Sequence, residues 1–191
     1  DALAPSALRH LISIYQHERD WDKAIAHARQ LEQATGESQG ATIAQFHCEL
    51  AEQARTQGNA DEARAHVADA FAVQPDCVRA SMIEGHVEAA AHDYTAAIRA
   101  FERVAEQDVD YMPEILAPLL DCYARAQDMR RAEEFLLGIT ERYQGVSPVL
   151  ALARLYATTR GEDAAIDFLN RALRQRPSVR ALMALIDVNL N

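Results

Sequence analysis

Apolar residues recur along the chain at helical spacing and stop at short polar, glycine or proline breaks. Leu8, Leu11, Ile12 and Tyr15 form one i, i+3, i+4, i+7 stripe. Ala24, Ala28 and Leu31 continue it beyond a turn marked by Asp20. Leu116, Leu119, Leu120 and Tyr123 form another stripe, as do Leu152, Ala153 and Tyr156, and finally Leu182, Leu185, Ile186 and Leu190. The pattern predicts an all-α chain of short amphipathic helices, eleven in total.

The stretch Gly85–Phe101 shows how these helices pair. Gly85 lies on one helical segment, Asp93 marks a turn, and Tyr94, Ala97 and Phe101 follow at helical spacing. A small residue lets two backbones approach, and an aromatic ring fills the wedge beside it. One such hairpin cannot bury its own apolar face and needs copies on either side. The copies exist. Ala24, Ala63, Ala97, Ala132 and Ala165 stand at intervals of 39, 34, 35 and 33 residues. Four positions earlier are Asp20, Asn59, Asp93, Asp128 and Gly161, all types favoured at a helix N-cap. Four positions later are Ala28, Val67, Phe101, Leu136 and Leu169; seven later, Leu31, Ala70, Val104, Ile139 and Ala172. Pro75 and Pro177, twelve later in two copies, sit where a helix should stop.

A helix–turn–helix unit of about 34 residues with this small–aromatic–alanine signature is the tetratricopeptide repeat. The expected fold is a right-handed superhelical solenoid of antiparallel helix pairs, one domain over residues 1–191. The repeats read as 5–38, 44–77, 78–111, 113–145 and 146–179, with a terminal helix over 180–191. The first interval is longer than the rest, so Gly36–Gly40 reads as an extended loop between repeats. Pro113 fits the first turn of a helix, where its missing N–H costs nothing. Trp21 is expected to wedge between the two helices of its repeat, as Tyr94 does in the third. The terminal helix is largely apolar, whereas a capping helix should carry a polar outer face; it reads as the first half of a further repeat. With Asp1 in place of a starting methionine, the chain reads as a fragment.

Charge narrows the function. The 191 residues carry a net charge of −10, which argues against nucleic-acid binding, since that calls for a basic stripe. No apolar run is long enough to span a membrane. Cys48, Cys77 and Cys122 lack C-x-x-C spacing and read as isolated, buried small side chains without a disulfide framework or zinc site. Among the seven histidines, His86 and His92 are the closest pair, six apart across a turn, which is poor metal geometry. No ligand set for a metal and no cofactor is expected in these residues. No nucleophile elbow, phosphate loop or zinc-protease motif occurs, so an enzyme is not expected.

The candidate site is therefore a surface. In stacked helical hairpins the first helix of each repeat lines a concave groove that binds extended segments or helices. By repeat register the groove carries Arg9, Glu52, Arg55, Arg79, His86, Asp121, Arg125 and Arg154. The arginines stand out in so acidic a chain. They either reach out to a partner or pair with Glu52 and Asp121. Arg55, Arg79 and Arg125, from successive first helices, are expected to converge on one concave surface. Chaperone-tail readers clamp a terminal carboxylate with a lysine and asparagine set, which is absent.

At Ile14–Ile25 (IYQHERDWDKAI), Ile43–Ala51 (IAQFHCELA), Arg79–Gly85 (RASMIEG) and Leu119–Tyr123 (LLDCY) the chain resembles the lipopolysaccharide assembly protein B family. The resemblance covers most of the chain and is repeat-level outside those segments. It implies a non-catalytic adaptor on the cytoplasmic side of the bacterial inner membrane, bringing the deacetylase LpxC to the membrane protease FtsH. It also implies a full-length protein with an N-terminal membrane helix and a C-terminal rubredoxin-like knuckle holding iron, neither of which has residues here. The competing reading is a generic repeat module of another bacterial assembly or secretion complex.

Overall fold

A computed structural model describes residues 3–175, 177 and 181–183. No strand occurs among the described residues. In chain order the helices are α1 (Leu3–Glu18), α2 (Trp21–Thr35), α3 (Gly40–Thr56), α4 (Ala60–Val73), α5 (Val78–Ala90) and α6 (Tyr94–Gln107). A 3-10 turn over Val109–Tyr111 precedes α7 (Met112–Ala126), α8 (Met129–Arg142), α9 (Ser147–Arg160) and α10 (Glu162–Gln175). The expected eleventh helix, 180–191, lies outside the described residues except for 181–183, which are helical.

The helices group into two compact units, α1–α6 and the 3-10 turn with α7–α10. In the first unit α1 pairs with α2, α3 with α4 and α5 with α6, while α2 packs on α3, α4 on α5, and α3 beside α5. In the second, α7 pairs with α8 and α9 with α10, and α8 packs on α9.

Each pair is closed at the alanine column. Ala24, Ala63, Ala97 and Ala165 are 0% exposed and Ala132 is 1% exposed, so there is no room for a larger side chain. The positions four residues on are buried too: Ala28, Val67, Phe101, Leu136 and Leu169. Gly85 shows why the facing position must be small. A Cβ there would come within 2.5 Å of the Phe101 ring. A second regularity runs across the pairs. A first-helix tyrosine meets an aromatic side chain of the second helix at Tyr15–His27, Tyr123–Phe135 and Tyr156–Phe168, with ring centroids 5.3, 6.3 and 5.3 Å apart. Trp21 packs against the core cluster that holds Ile12 and Ala24 of its own pair, and it also stacks on Phe46 of α3 at 5.7 Å.

The turn column works through its carboxylates. Asp20 accepts from the Lys23 N–H at 3.3 Å, Asp93 from the Ala96 N–H at 2.9 Å and Asp128 from the Arg131 N–H at 3.2 Å. Each satisfies a backbone donor that the first helical turn leaves without a partner. Asn59 does not cap; its amide donates to Glu62 instead, at 3.2 Å. Asp93→Ala is therefore expected to cost about 0.5–2 kcal/mol, and Asn59→Ala distinctly less. Thermal melts of the two variants check this; equal losses would contradict the capping assignment.

The long first interval has a different origin from the one expected. The connection between α2 and α3 spans only residues 36–39, no longer than residues 74–77 between α4 and α5. The extra residues lie in the helices: α3 has 17 residues against 13 in α5, and α2 has 15 against 14 in α4. Gly36 ends α2 in the left-handed conformation at φ 73°, its N–H bonded to the Glu32 carbonyl. Gly40 is then helical, and a Cβ there would lie 2.8 Å from the Val73 carbonyl oxygen. The glycines permit a tight turn and a close helix approach rather than a loose loop.

Candidate protein-interaction surface

Helical spacing puts Glu49, Glu52 and Arg55 on one side of α3, and Arg79, Met82 and His86 on one side of α5. Because α3 and α5 pack side by side, the two rows form one surface. Arg55 grips Glu52 with two hydrogen bonds of 2.8 and 2.5 Å. Arg79 crosses between the helices and donates to Glu49 at 2.7 Å. The Arg55 hydrogen bonds hold the Glu52 carboxyl below the usual carboxylate range, and the charges of His86 and Arg79 act in the same direction. Burial pulls the His86 imidazole pKa down, Arg55 adds to the effect, and the ring meets Phe101 edge-on at 5.2 Å.

Of the expected site residues, Glu52, Arg55, Arg79 and His86 thus share this surface. Arg9, on α1, instead approaches Glu37 at 3.7 Å. Asp121, Arg125 and Arg154 belong to the second unit, where Arg125 donates to Asp121 at 2.7 Å and Arg154 is exposed on α9. Of the two readings of the arginines, pairing holds for Arg55 with Glu52 and for Arg125 with Asp121. All these pairs remain half exposed or exposed, so each contributes on the order of 0–1 kcal/mol to stability. Their value is geometric. Two adjacent helices present carboxylates and guanidinium groups already paired with one another.

Glu49, which the sequence does not single out, holds Arg79, 30 positions away, and Cys77 meets Cys48. The cysteines are not isolated: the two sulfurs are 3.7 Å apart across adjacent first helices. Cys48 is buried and its pKa is raised, first by its hydrogen bond to Cys77 and then by burial. Cys77 is drawn well below the ordinary thiol value, first by that hydrogen bond and further by the Ala80 and Arg79 N–H groups at the start of α5. A half-buried thiolate at a helix N-terminus is a reactive one. Limited alkylation is expected to label Cys77 first, with a labelling pKa below the free-thiol value of about 8.5, while buried Cys48 and Cys122 lag. Peptide mapping after pH-jump labelling checks this, and uniform labelling of all three would contradict it.

Charged pairs also tie neighbouring pairs of helices together. Arg64 of α4 binds Glu88 of α5 at 2.7 and 3.0 Å. In the second unit Arg160 of α9 binds both carboxylate oxygens of Glu133 on α8, at 2.6 and 2.7 Å. No helix among the described residues is long and apolar enough to cross a membrane.

Known proteins with the same organisation are recognisable. Two tetratricopeptide-repeat family models match residues 48–113 and 88–152. Lipopolysaccharide assembly protein B of Escherichia coli K12 is 32% identical over 185 residues, covering 97% of this chain and 48% of that protein. The protein of the same name from Haemophilus influenzae is 33% identical over 175 residues, covering 92% of this chain and 44% of that protein. The chain thus spans about half the length of the curated relatives it matches. In fold, it is similar to the crystal structure of a tetratricopeptide repeat protein from Parabacteroides merdae, with a TM-score of 0.55 at 14% identity, covering 98% of this chain and 73% of that one. The repeated pairs, the residues that close them and these matches agree: the chain belongs to the tetratricopeptide-repeat proteins, and over nearly its whole length it is similar to lipopolysaccharide assembly protein B.

Proposed function

We propose that this chain is the protein-binding part of an adaptor that restrains lipopolysaccharide synthesis, bringing the deacetylase LpxC to the membrane protease FtsH on the cytoplasmic side of the inner membrane. A tetratricopeptide-repeat scaffold binds other proteins along its first helices. The observation that carries the reading is the surface of α3 and α5, with Arg55 fixed on Glu52 and Arg79 fixed on Glu49. Such pairs are preorganised, so little side-chain freedom is lost when a partner docks. They offer a partner both donors and acceptors, and electrostatic pairing of this kind sets register and specificity more than raw affinity. The likeness to lipopolysaccharide assembly protein B over nearly the whole chain supports a role in lipopolysaccharide assembly.

The test is calorimetric titration of the chain with purified LpxC and, separately, with the soluble part of FtsH. Saturable binding of LpxC supports the reading, and weakening of that binding at raised salt supports a charged surface. Binding of neither protein would overturn the adaptor reading in favour of another assembly or secretion complex.

A further inference from the structure

Sixteen residues before each column alanine the chain carries Leu8, His47, Ser81, Leu116 and Val149. This is an inward-facing position, and His47 and Ser81 are the buried polar residues identified among the described ones. The two are treated differently. Ser81 donates to Gln107 at 2.9 Å and accepts from Arg103 at 3.1 Å. His47, with its side chain 8% exposed, has no hydrogen-bond partner on either ring nitrogen. Leaving a buried polar group without a partner is costly, so such a group calls for an explanation.

What faces His47 is not apolar. Asp69 stands six residues after its column alanine, where Arg103 stands in the next repeat. Its carboxylate lies 3.8 Å from the His47 Nδ1, beyond hydrogen-bonding distance. His66, one turn earlier on α4, places its ring 5.8 Å from that of His47, and its own Nδ1 is buried without a partner. The repeat pattern explains why His66 is available. In three other pairs the residue at its position meets a tyrosine of the first helix, but here the opposing residue is Ala54. Two imidazoles and a carboxylate therefore converge, each offering one ligand atom within 4.8 Å of the others.

We propose that His47, His66 and Asp69 form a binding site for a divalent transition-metal ion of the zinc type, clipping α3 to α4. Two histidines and one carboxylate with an open side are a ligand set that such ions accept. Bonds of about 2.0–2.2 Å require the ligand atoms to draw in. Asp69 can do this, because its side chain is 59% exposed and its carboxylate already faces the His47 ring. His66 and Asp69, at i and i+3, share one face of α4 and approach the ion together. Asp22 and Arg29 of α2 face His47 with opposite charges. The site is built within one repeat, so it does not depend on which partner the scaffold binds.

The experiment uses the metal-free full chain titrated with Zn²⁺ by calorimetry, with cobalt(II) absorption as a report on the ligands. One ion per chain is expected, with a rise in melting temperature as Zn²⁺ is added. His66→Ala and Asp69→Ala, neither fully buried, should each weaken binding by about 10-fold or more. Cys48→Ser with Cys77→Ser should leave binding intact, with no sulfur charge-transfer band in the cobalt form. Three results would overturn the proposal: no saturable Zn²⁺ binding, binding that survives His66→Ala with Asp69→Ala, or binding lost with the two cysteines. None of these readouts involves LpxC, so failure here is distinct from failure of the adaptor reading.

Discussion

Phe101→Ala is expected to destabilise the first unit by about 3–5 kcal/mol, the usual cost of emptying a fully buried aromatic site. The ring is 0% exposed and fills the space that Gly85 leaves open on α5. Neither helix can collapse into the void, because Ala97 and Val104 on the same face of α6 already hold it against its neighbours at 0% exposure. The converse change gives the sharper test. Gly85→Ala places a methyl 2.5 Å from the Phe101 ring, and should destabilise the native chain even though alanine favours helix by about 1 kcal/mol. In the Phe101→Ala background the clash is gone, so the same Gly85→Ala change should become neutral or stabilising. Denaturant titrations of the four proteins form a double-mutant cycle. Additive effects would mean that Gly85 and Phe101 do not meet.

Ala97→Leu should cost about 1–3 kcal/mol, because three added heavy atoms have nowhere to go where α5 meets α6. Ala97 is 0% exposed and its N–H bonds the Asp93 carbonyl at 3.0 Å, so the backbone there is pinned by the turn. Contacts in repeat proteins are made between neighbours, and the damage should remain local. Hydrogen exchange should quicken in α5, α6 and the adjoining α4 before it quickens in α1. An unchanged melting temperature would place Ala97 at the surface and break the register on which the helix pairing rests.

How far the sequence carried the account is visible at particular residues. The alanine column and the apolar positions after it are read directly, because close helix packing needs small residues at fixed spacing, and those alanines are all fully buried. The Asp20, Asp93 and Asp128 caps follow from local chemistry. Pairs within one helix, Glu52 with Arg55 and Asp121 with Arg125, are legible from i, i+3 and i, i+4 spacing. The rest depends on which helices become neighbours and at what rotation. Arg79 finds Glu49, and Cys77 finds Cys48, only because α3 and α5 pack side by side. His47 finds His66 only because Ala54 leaves that ring without an aromatic partner. Searching for histidines close in the chain singles out His86 and His92 and passes over the set whose ligand atoms converge. A usable signal was present: His66 and Asp69 lie one turn apart, opposite a polar residue in an otherwise largely aliphatic column. Glycine at both ends of 36–40 signals a turn and points to a loop for the extra residues of the first interval. Gly40 instead serves a close backbone approach.

The proposed docking surface for the partner is the paired charges of α3 and α5. It is tested by titrating LpxC into the native chain, the Arg55→Ala/Arg79→Ala variant, and Arg99→Ala, which removes an exposed arginine from the second helix α6. Arginine truncation at an interface centre costs about 2 kcal/mol or more, a loss of roughly 30-fold in affinity. That loss is expected for the double variant while it remains folded with native helix content, and native affinity is expected for Arg99→Ala. Native affinity in a folded Arg55→Ala/Arg79→Ala protein would contradict it.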